Sequence, residues 1–308
     1  EYRDVYRKSK SNKDHLDNER LRLERWAWYW RDRLNEDGSF PDISRQHEIY
    51  RLVNLASKKQ TSREEKVWKH EGPVRNTGGY WGMGRTTHID FHPTQQGTFY
   101  VAAPNGGLWK TTNGGLNYVS LGEDLPQQPV GVVIVDQKNP NNIFISLGEK
   151  EGWWQYGLGV YKSTDGGISW KATGLNWKLT DNKVLYGLEM NSKNSNILIA
   201  ATNDGLYKTF NGGTSWIKIR NENFSDVKYH PTDTSIVYAA INDYWGSCEI
   251  LKSIDGGKSW NQVSSFATQK SFLRLAVTLA APSYLGVNAS VDGAKKFFLS
   301  KDLGASFK

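Results

Sequence analysis

"STDGGISW" (residues 163–170) fits a pattern that the chain carries five times: Ser or Thr, any residue, Asp or Asn, any residue, Gly, two further residues and an aromatic. The copies run 111–118, 163–170, 209–216, 253–260 and 300–307, at intervals of 52, 46, 44 and 47 residues. A period in this range marks one supersecondary unit repeated along the chain, and four-stranded propeller blades have that size. Within the quoted copy, Asp165 can accept hydrogen bonds from N–H groups of its own turn, and Gly166 and Gly167 permit the positive φ of a tight hairpin. Trp170 then opens the next strand and can tuck its ring under the hairpin, removing about 200 Å² from water. Trp216 and Trp260 repeat the place of Trp170, and Asp255 and Asp302 the place of Asp165. Asn113 and Asn211 stand there in the two remaining copies. That exchange keeps the acceptor oxygen and discards the charge, which suits a structural role and is poorly tolerated in catalysis or metal binding.

Laid over one another, the units give approximate blades at 85–121, 130–175, 183–220, 225–264 and 272–308. Each holds runs rich in Val, Ile, Tyr and Phe, broken by Asn-Pro, Asn-Gly or Gly-Gly. That is strand-and-turn chemistry. The fold class expected is all-β, a β-propeller of four-stranded blades with five blades visible, preceded by a short α-helical extension.

The chain has 308 residues, is 38% hydrophobic and carries a net charge of +7. Charge is concentrated in residues 1–69, so a Trp-rich helical extension (1–69) is set apart from the propeller (70–308). Leu16, Leu23, Ala27, Trp30 and Leu34 recur at helical spacing between about residues 11 and 35, and a second helix is expected over 44–57. Both signs of charge are interspersed throughout, whereas a nucleic-acid binder more often shows a clustered basic face. No apolar run of about 18 residues exists, so no membrane span is expected. Cys248 is the sole cysteine, which excludes an internal disulfide framework.

The run "GRTTHIDFHPTQQGTFYVAAPNGGLWKTTNGGLNY", preceded by "RWAWYWRDRLNEDGSFP" and "VWKHEGP", resembles the start of Asp-box (BNR-repeat, sortilin-like) propeller proteins among large secreted substrates of the type IX secretion pathway. The resemblance implies an exported, cell-surface location. Its motifs are distinctive for the fold and unspecific for activity, so no catalytic residue is assigned from it, and no sorting domain appears in these 308 residues. Propellers of that kind generally have more than five blades, and an incomplete ring exposes unpaired strand edges. A longer polypeptide, or a multi-chain assembly covering the open edge, is therefore expected.

In a four-stranded blade the repeat hairpin joins strands three and four on one face, and the two-to-three loops lie on the other, where propellers usually bind ligands. The loop "LGEKEGWWQYGLG" supplies Glu149, Trp153, Trp154 and Tyr156, and "INDYWGSC" supplies Tyr244 and Trp245. Flat rings beside carboxylates and amides suit a sugar or an extended polypeptide. The competing reading is that these rings pack loop against loop. Arg85, in the glycine-rich entry to the first blade, could grip a carboxylate bidentately. His92-Pro93-Thr94 and His230-Pro231-Thr232 are matched to Lys138-Asn139-Pro140 and Lys193-Asn194-Ser195 in other blades, which scatters the histidines. No metal or cofactor motif is present.

Three functions follow for comparison. The first is a secreted, non-catalytic propeller that binds a protein or polysaccharide partner. The second is a glycoside hydrolase of the xyloglucanase or sialidase-like kind. Sialidases need three converging arginines and an Arg-Ile-Pro element that the chain lacks. The first blade does resemble that of xyloglucan endoglucanases. In them an aspartate before the Gly pair acts in catalysis, whereas here the stretch is Ala103-Pro104-Asn105-Gly106-Gly107. The third is a structural subunit of a cell-surface or secretion assembly. The residues favour the first.

Overall fold

The computed structural model describes residues 85–104, 106–123, 125–127, 129–149, 156–242, 248–266, 273–291 and 294–308, with scattered positions between 24 and 52. The chain divides into two units, Glu1–Ser62 and Arg63–Lys308. In the first unit the described Glu24, Ala27 and Arg31 are helical, as are Glu48, Ile49 and Leu52. The remainder of the two expected helices lies outside the described residues.

The second unit is a five-blade, all-β propeller. Blade one is β1 (His88–Phe91), β2 (Phe99–Ala103), β3 (Gly107–Thr111) and β4 (Val119–Ser120). Blade two is β5 (Val130–Val135), β6 (Ile143–Leu147), β7 (Gly159–Ser163) and β8 (Lys171–Asn176). Blade three is β9 (Leu185–Met190), β10 (Leu198–Thr202), β11 (Gly205–Thr209) and β12 (Ile217–Arg220). Blade four is β13 (Phe224–Tyr229), β14 (Val237–Ile241), β15 (Cys248–Ser253) and β16 (Asn261–Phe266). Blade five, β17 (Arg274–Val277), β18 (Leu285–Val291) and β19 (Ala294–Ser300), has three strands among the described residues. Every sheet is an antiparallel meander in sequence order. The first strands stand side by side in the order β1, β5, β9, β13, β17.

Blade faces explain the apolar runs. β5 (VGVVIV) is buried along its whole length because each of its two faces meets a different blade. Val133, Val135, Ile143 and Ile145 pack on Tyr100, Ala102 and Leu108 of blade one. Val132, Ile134, Phe144 and Val160 pack on Leu185, Leu188, Leu198 and Ala200 of blade three. Two further cores fill the gaps between blades three and four and between four and five. The hydrophobic core is thus four interblade layers, each about two sheets thick.

The repeat hairpins fasten these layers. Asp165 Oδ1 accepts the N–H groups of Ile168 (3.0 Å) and Ser169 (2.9 Å), and Ser163 Oγ accepts that of Gly167 (2.8 Å). Asp255 and Asp302 accept in the same way, from Lys258 and Ser259 and from Ser306. Asn113 and Asn211 do so through Oδ1, from Asn117 and Ser215. The closing aromatic then reaches backwards: Trp170, Trp216, Trp260 and Phe307 each pack into the core shared with the preceding blade. The Trp170 indole N–H donates to the Leu121 carbonyl of blade one at 3.0 Å. A lysine of the preceding blade also bonds the hairpins of blades three, four and five. Lys162 donates to the Gly212 carbonyl (3.4 Å), Lys208 to that of Gly256, and Lys252 to that of Leu303 (3.0 Å).

The histidine alignment expected from sequence is corrected by two residues. The backbone N–H groups of His92, Asp136, Asn191 and His230 donate to Thr98, Asn142, Ile197 and Ile236, which makes these four equivalent. Each side chain accepts the N–H two residues on, from Thr94, Lys138, Lys193 and Thr232. The physical requirement is a turn-capping acceptor, which imidazole, carboxylate and amide all supply, so matching by the His-Pro pair alone misplaces the register.

Candidate functional site

The face opposite the repeat hairpins is built from the two-to-three loops and the connections between blades. Its centre of organisation is the loop after β6. Gly148 has φ +115°, and a Cβ there would lie 2.5 Å from Gly157 Cα; one on Gly157 would lie 2.0 Å from the Leu147 carbonyl oxygen. Only two glycines can pass this closely, so the sequence pinches the loop into a narrow neck. The neck is tied on both sides. Gly148 N–H donates to the Pro129 carbonyl (2.8 Å), Gln127 Nε2 to the Tyr156 carbonyl (2.9 Å), and Gly157 N–H to the Lys183 carbonyl (2.9 Å). Gln127 and Pro129 belong to the connection from blade one and Lys183 to the connection into blade three.

Glu149 follows directly from this neck. Its side chain is 4% exposed and forms an ion pair with the Arg85 guanidinium, which is 47% exposed. The two residues, both sequence candidates for ligand contact, are therefore brought together and engage each other. Tyr156 is half-buried at the neck. Trp153, Trp154, Tyr244 and Trp245 lie outside the described residues.

A second polar cluster adjoins the neck through Lys183. Asp204, in the turn between β10 and β11, pairs with Lys183 Nζ (2.6 Å) and Lys218 Nζ (3.0 Å) and accepts from the Tyr207 hydroxyl (2.6 Å). Burial opposes its ionisation, yet hydrogen bonds from Lys183, Tyr207 and Lys218 outweigh it and lower the pKa to about 2. Asp204 is thus a fixed anion. The sequence carries no signal for it beyond an ordinary Asn-Asp-Gly turn.

A third polar group lines an open cavity of about 420 Å³ to which all five inner strands contribute residues. Asp90 (β1), Glu189 (β9) and Lys228 (β13) face it. Lys228 forms an ion pair with Glu189 and stands 4.0 Å from Asp226. Burial disfavours the ammonium, but Glu189 and Asp226 hold it protonated, above the usual lysine range. Asp90 and Asp226 also fasten blades: Asp90 Oδ2 accepts Val135 N–H (2.7 Å) and Asp226 Oδ2 accepts Leu275 N–H (3.0 Å), each from the following blade. Charged residues in mostly apolar inner strands, one each in β1 and β9 and two in β13, are the sequence signal for this group.

No family model matches the chain. It is 24% identical over 225 residues to a xyloglucanase of Hypocrea jecorina, covering 68% of this chain and 25% of the relative. It is 24% identical over 229 residues to a xyloglucanase of a Paenibacillus species, covering 70% and 21%. The chain therefore spans about a quarter of the length of these relatives. Among solved structures it resembles the GH74 enzyme of Niastella koreensis (TM-score 0.57, 19% identity, 73% of this chain and 37% of that one). It also resembles an ancestral GH74 enzyme (TM-score 0.55, 21% identity, 70% and 29%). At these identities the structural likeness establishes the propeller.

The relatives correct the functional expectation. The motif-free loops favour a non-catalytic binding propeller, but both sequence relatives bear the name of a hydrolase. The absence of a local motif does not count against hydrolysis, for a physical reason. Glycoside hydrolysis needs two carboxyl groups about 5–9.5 Å apart, and separate loops can supply them with no sequence pattern at all.

Proposed function

We propose that this chain is a propeller portion of a glycoside hydrolase acting on a polysaccharide of the xyloglucan type. The observation that carries the reading is the alignment with two xyloglucanases over 225 and 229 residues, which spans most of the propeller. The chemistry needs one carboxyl group to protonate the leaving oxygen and another to act as base or nucleophile. The turn Ala103–Gly107 holds no carboxylate, so an acid must come from elsewhere on the same face. Glu149 is the residue we assign to that pair. It is buried, it stands on a rigid glycine neck, and Arg85 orients it. Asp204 serves the scaffold, since three donors saturate it. The sequence between Glu149 and Tyr156 carries Trp153 and Trp154, rings of the kind that stack on a sugar chain. A polymer of this size cannot enter a cell, so the proposed site of action is extracellular.

The test is release of reducing ends from xyloglucan and a panel of other glucans. Glu149→Gln should lower kcat/KM by about 10²–10⁴, the usual contribution of a positioned proton donor or acceptor, with its melting temperature close to the parent's. No release by the parent protein from any polysaccharide sinks the reading.

A further inference from the structure

The groove between blades two and three, beside their repeat hairpins, departs from the other interblade grooves in charge. Lys162 of β7 and Lys171 of β8 are direct cross-strand partners. In the same register Lys110 faces Val119, Lys208 faces Ile217 and Lys252 faces Asn261. Like charges placed directly opposite each other destabilise a sheet. Among the described residues neither Lys162 nor Lys171 has a carboxylate at ion-pair distance. The facing hairpin withdraws a negative charge as well. Lys162, Lys208 and Lys252 each donate to a carbonyl in the hairpin of the following blade. Two of those hairpins hold Asp255 and Asp302, whereas the one that Lys162 meets holds the neutral Asn211. The carboxylate of blade two's own hairpin, Asp165, is taken up within its turn by the Ser163 and Ser169 hydroxyls and the Ile168 and Ser169 N–H groups.

The walls of the groove change in the same sense. Thr173 is buried where Leu121, Ile219 and Val263 pack into the other three layers. Thr164 stands where the next two hairpins carry Phe210 and Ile254, and Thr214 where the preceding hairpin carries Ile168. Burying a hydroxyl in place of an apolar side chain costs stability unless a partner satisfies it. The Thr173 hydroxyl accepts the Leu175 N–H at 3.2 Å, which leaves its own hydrogen to donate. Lys162, Lys171, Thr164, Thr173 and Thr214 together line an open cleft of about 200 Å³. We propose that this cleft binds a phosphate or sulfate oxyanion, free or carried as a monoester. Two ammonium groups supply the charge and the hydroxyls supply further donors, which is the set that charge-assisted bonds to an oxyanion use. A metal cation would be repelled, and a neutral sugar would leave both ammonium groups without a counter-charge. The cleft adjoins the repeat hairpins, on the face opposite Glu149, so this inference is independent of the hydrolase reading.

Titration calorimetry at fixed ionic strength tests the proposal, with inorganic phosphate, inorganic sulfate, glucose 6-phosphate and glucose 6-sulfate as probes. At least one of the four should bind saturably, one per chain. Lys171→Val, which installs the residue of blade one, should weaken that binding at least tenfold. Asn211→Asp should do the same by returning the carboxylate that the hairpins of blades four and five hold. Its melting temperature should stay near the parent's, because Asp255 and Asp302 make the same turn contacts. Lys301→Gln, at an exposed lysine of another hairpin, should leave the binding unchanged. Tighter binding of the esters than of the free ions by tenfold identifies a saccharide-borne group, and equal binding identifies the free ion. The absence of saturable binding by all four probes overturns the proposal. Binding that survives both Lys171→Val and Asn211→Asp also overturns it, and so does an equal loss in Lys301→Gln, which would mean attraction to the overall positive charge. Lys171→Gln replaces Lys171→Val should the latter not fold.

Discussion

The Arg85 guanidinium is paired with the Glu149 carboxylate across the junction of blades one and two, so the strand entry of one blade fixes the start of the loop after β6 in the next. The pair is asymmetric: Glu149 is buried and Arg85 is half in solvent. Removing the arginine therefore strands a buried charge, while neutralising the carboxyl leaves an arginine that water can solvate.

Arg85→Ala should accordingly cost more stability than Glu149→Gln. Removing one partner of a fully buried pair costs about 3–5 kcal/mol, and solvent at Arg85 reduces this to about 1–2 kcal/mol. Denaturant melts of the two single variants and the double variant would measure it. Equal costs for the two singles would show that the pair is a loose surface contact.

The glycine neck gives a steric prediction. Gly157→Ala places a methyl group 2.0 Å from the Leu147 carbonyl, so the strands flanking the loop must part. Overpacking of this kind costs about 1–3 kcal/mol, read as a lowered melting temperature together with loss of polysaccharide cleavage. A variant with parental stability would mean that the neck opens freely.

The repeat hairpins give a pH dependence. Asp165, Asp255 and Asp302 are held well below the usual carboxylate range, first by the hydroxyls of Ser169, Ser259 and Ser306, then by backbone N–H groups and the leading serine of each hairpin. A depressed folded-state pKa contributes stability above the unfolded value, near 3.9, and that stability is lost as pH falls towards the folded value. The melting temperature should thus drop steeply below about pH 4. Replacing all three by asparagine should flatten that drop while changing little at pH 7, because Asn211 already bonds Ser215 through both N and O atoms (2.9 Å each). A steep acid limb that survives the triple substitution would place its origin elsewhere.

The fifth hairpin departs from its siblings at one point. Leu303 occupies the place of Gly166, Gly212 and Gly256 and adopts φ +58°. A non-glycine residue pays about 1–2 kcal/mol in this region, partly offset by the chain entropy that glycine adds to the unfolded state. Leu303→Gly should therefore raise stability by up to about 1 kcal/mol, since the carbonyl that accepts from Tyr238 and Lys252 is unchanged. A destabilised variant would show that the leucine side chain contributes packing that outweighs the strain.

The sequence by itself determined the five repeats, the strand order and the chemistry of each hairpin, because those depend on contacts within about eight residues. An acceptor two places from a hydroxyl, two glycines and an aromatic specify the turn wherever they occur. Tertiary structure alone decided the rest, since propeller blades meet through residues about one repeat apart. Trp170 on Leu121, Lys162 on Gly212 and Asp226 on Leu275 each join such distant positions, and nothing local marks the partner. The same holds for Arg85 and Glu149, which sequence supplied only as two separate ligand candidates. Whether a carboxylate faces a sugar, a lysine or a neighbouring sheet is set by the radial stacking of twisted sheets. The periodicity of the chain fixes how many sheets are stacked and leaves open what their loops assemble.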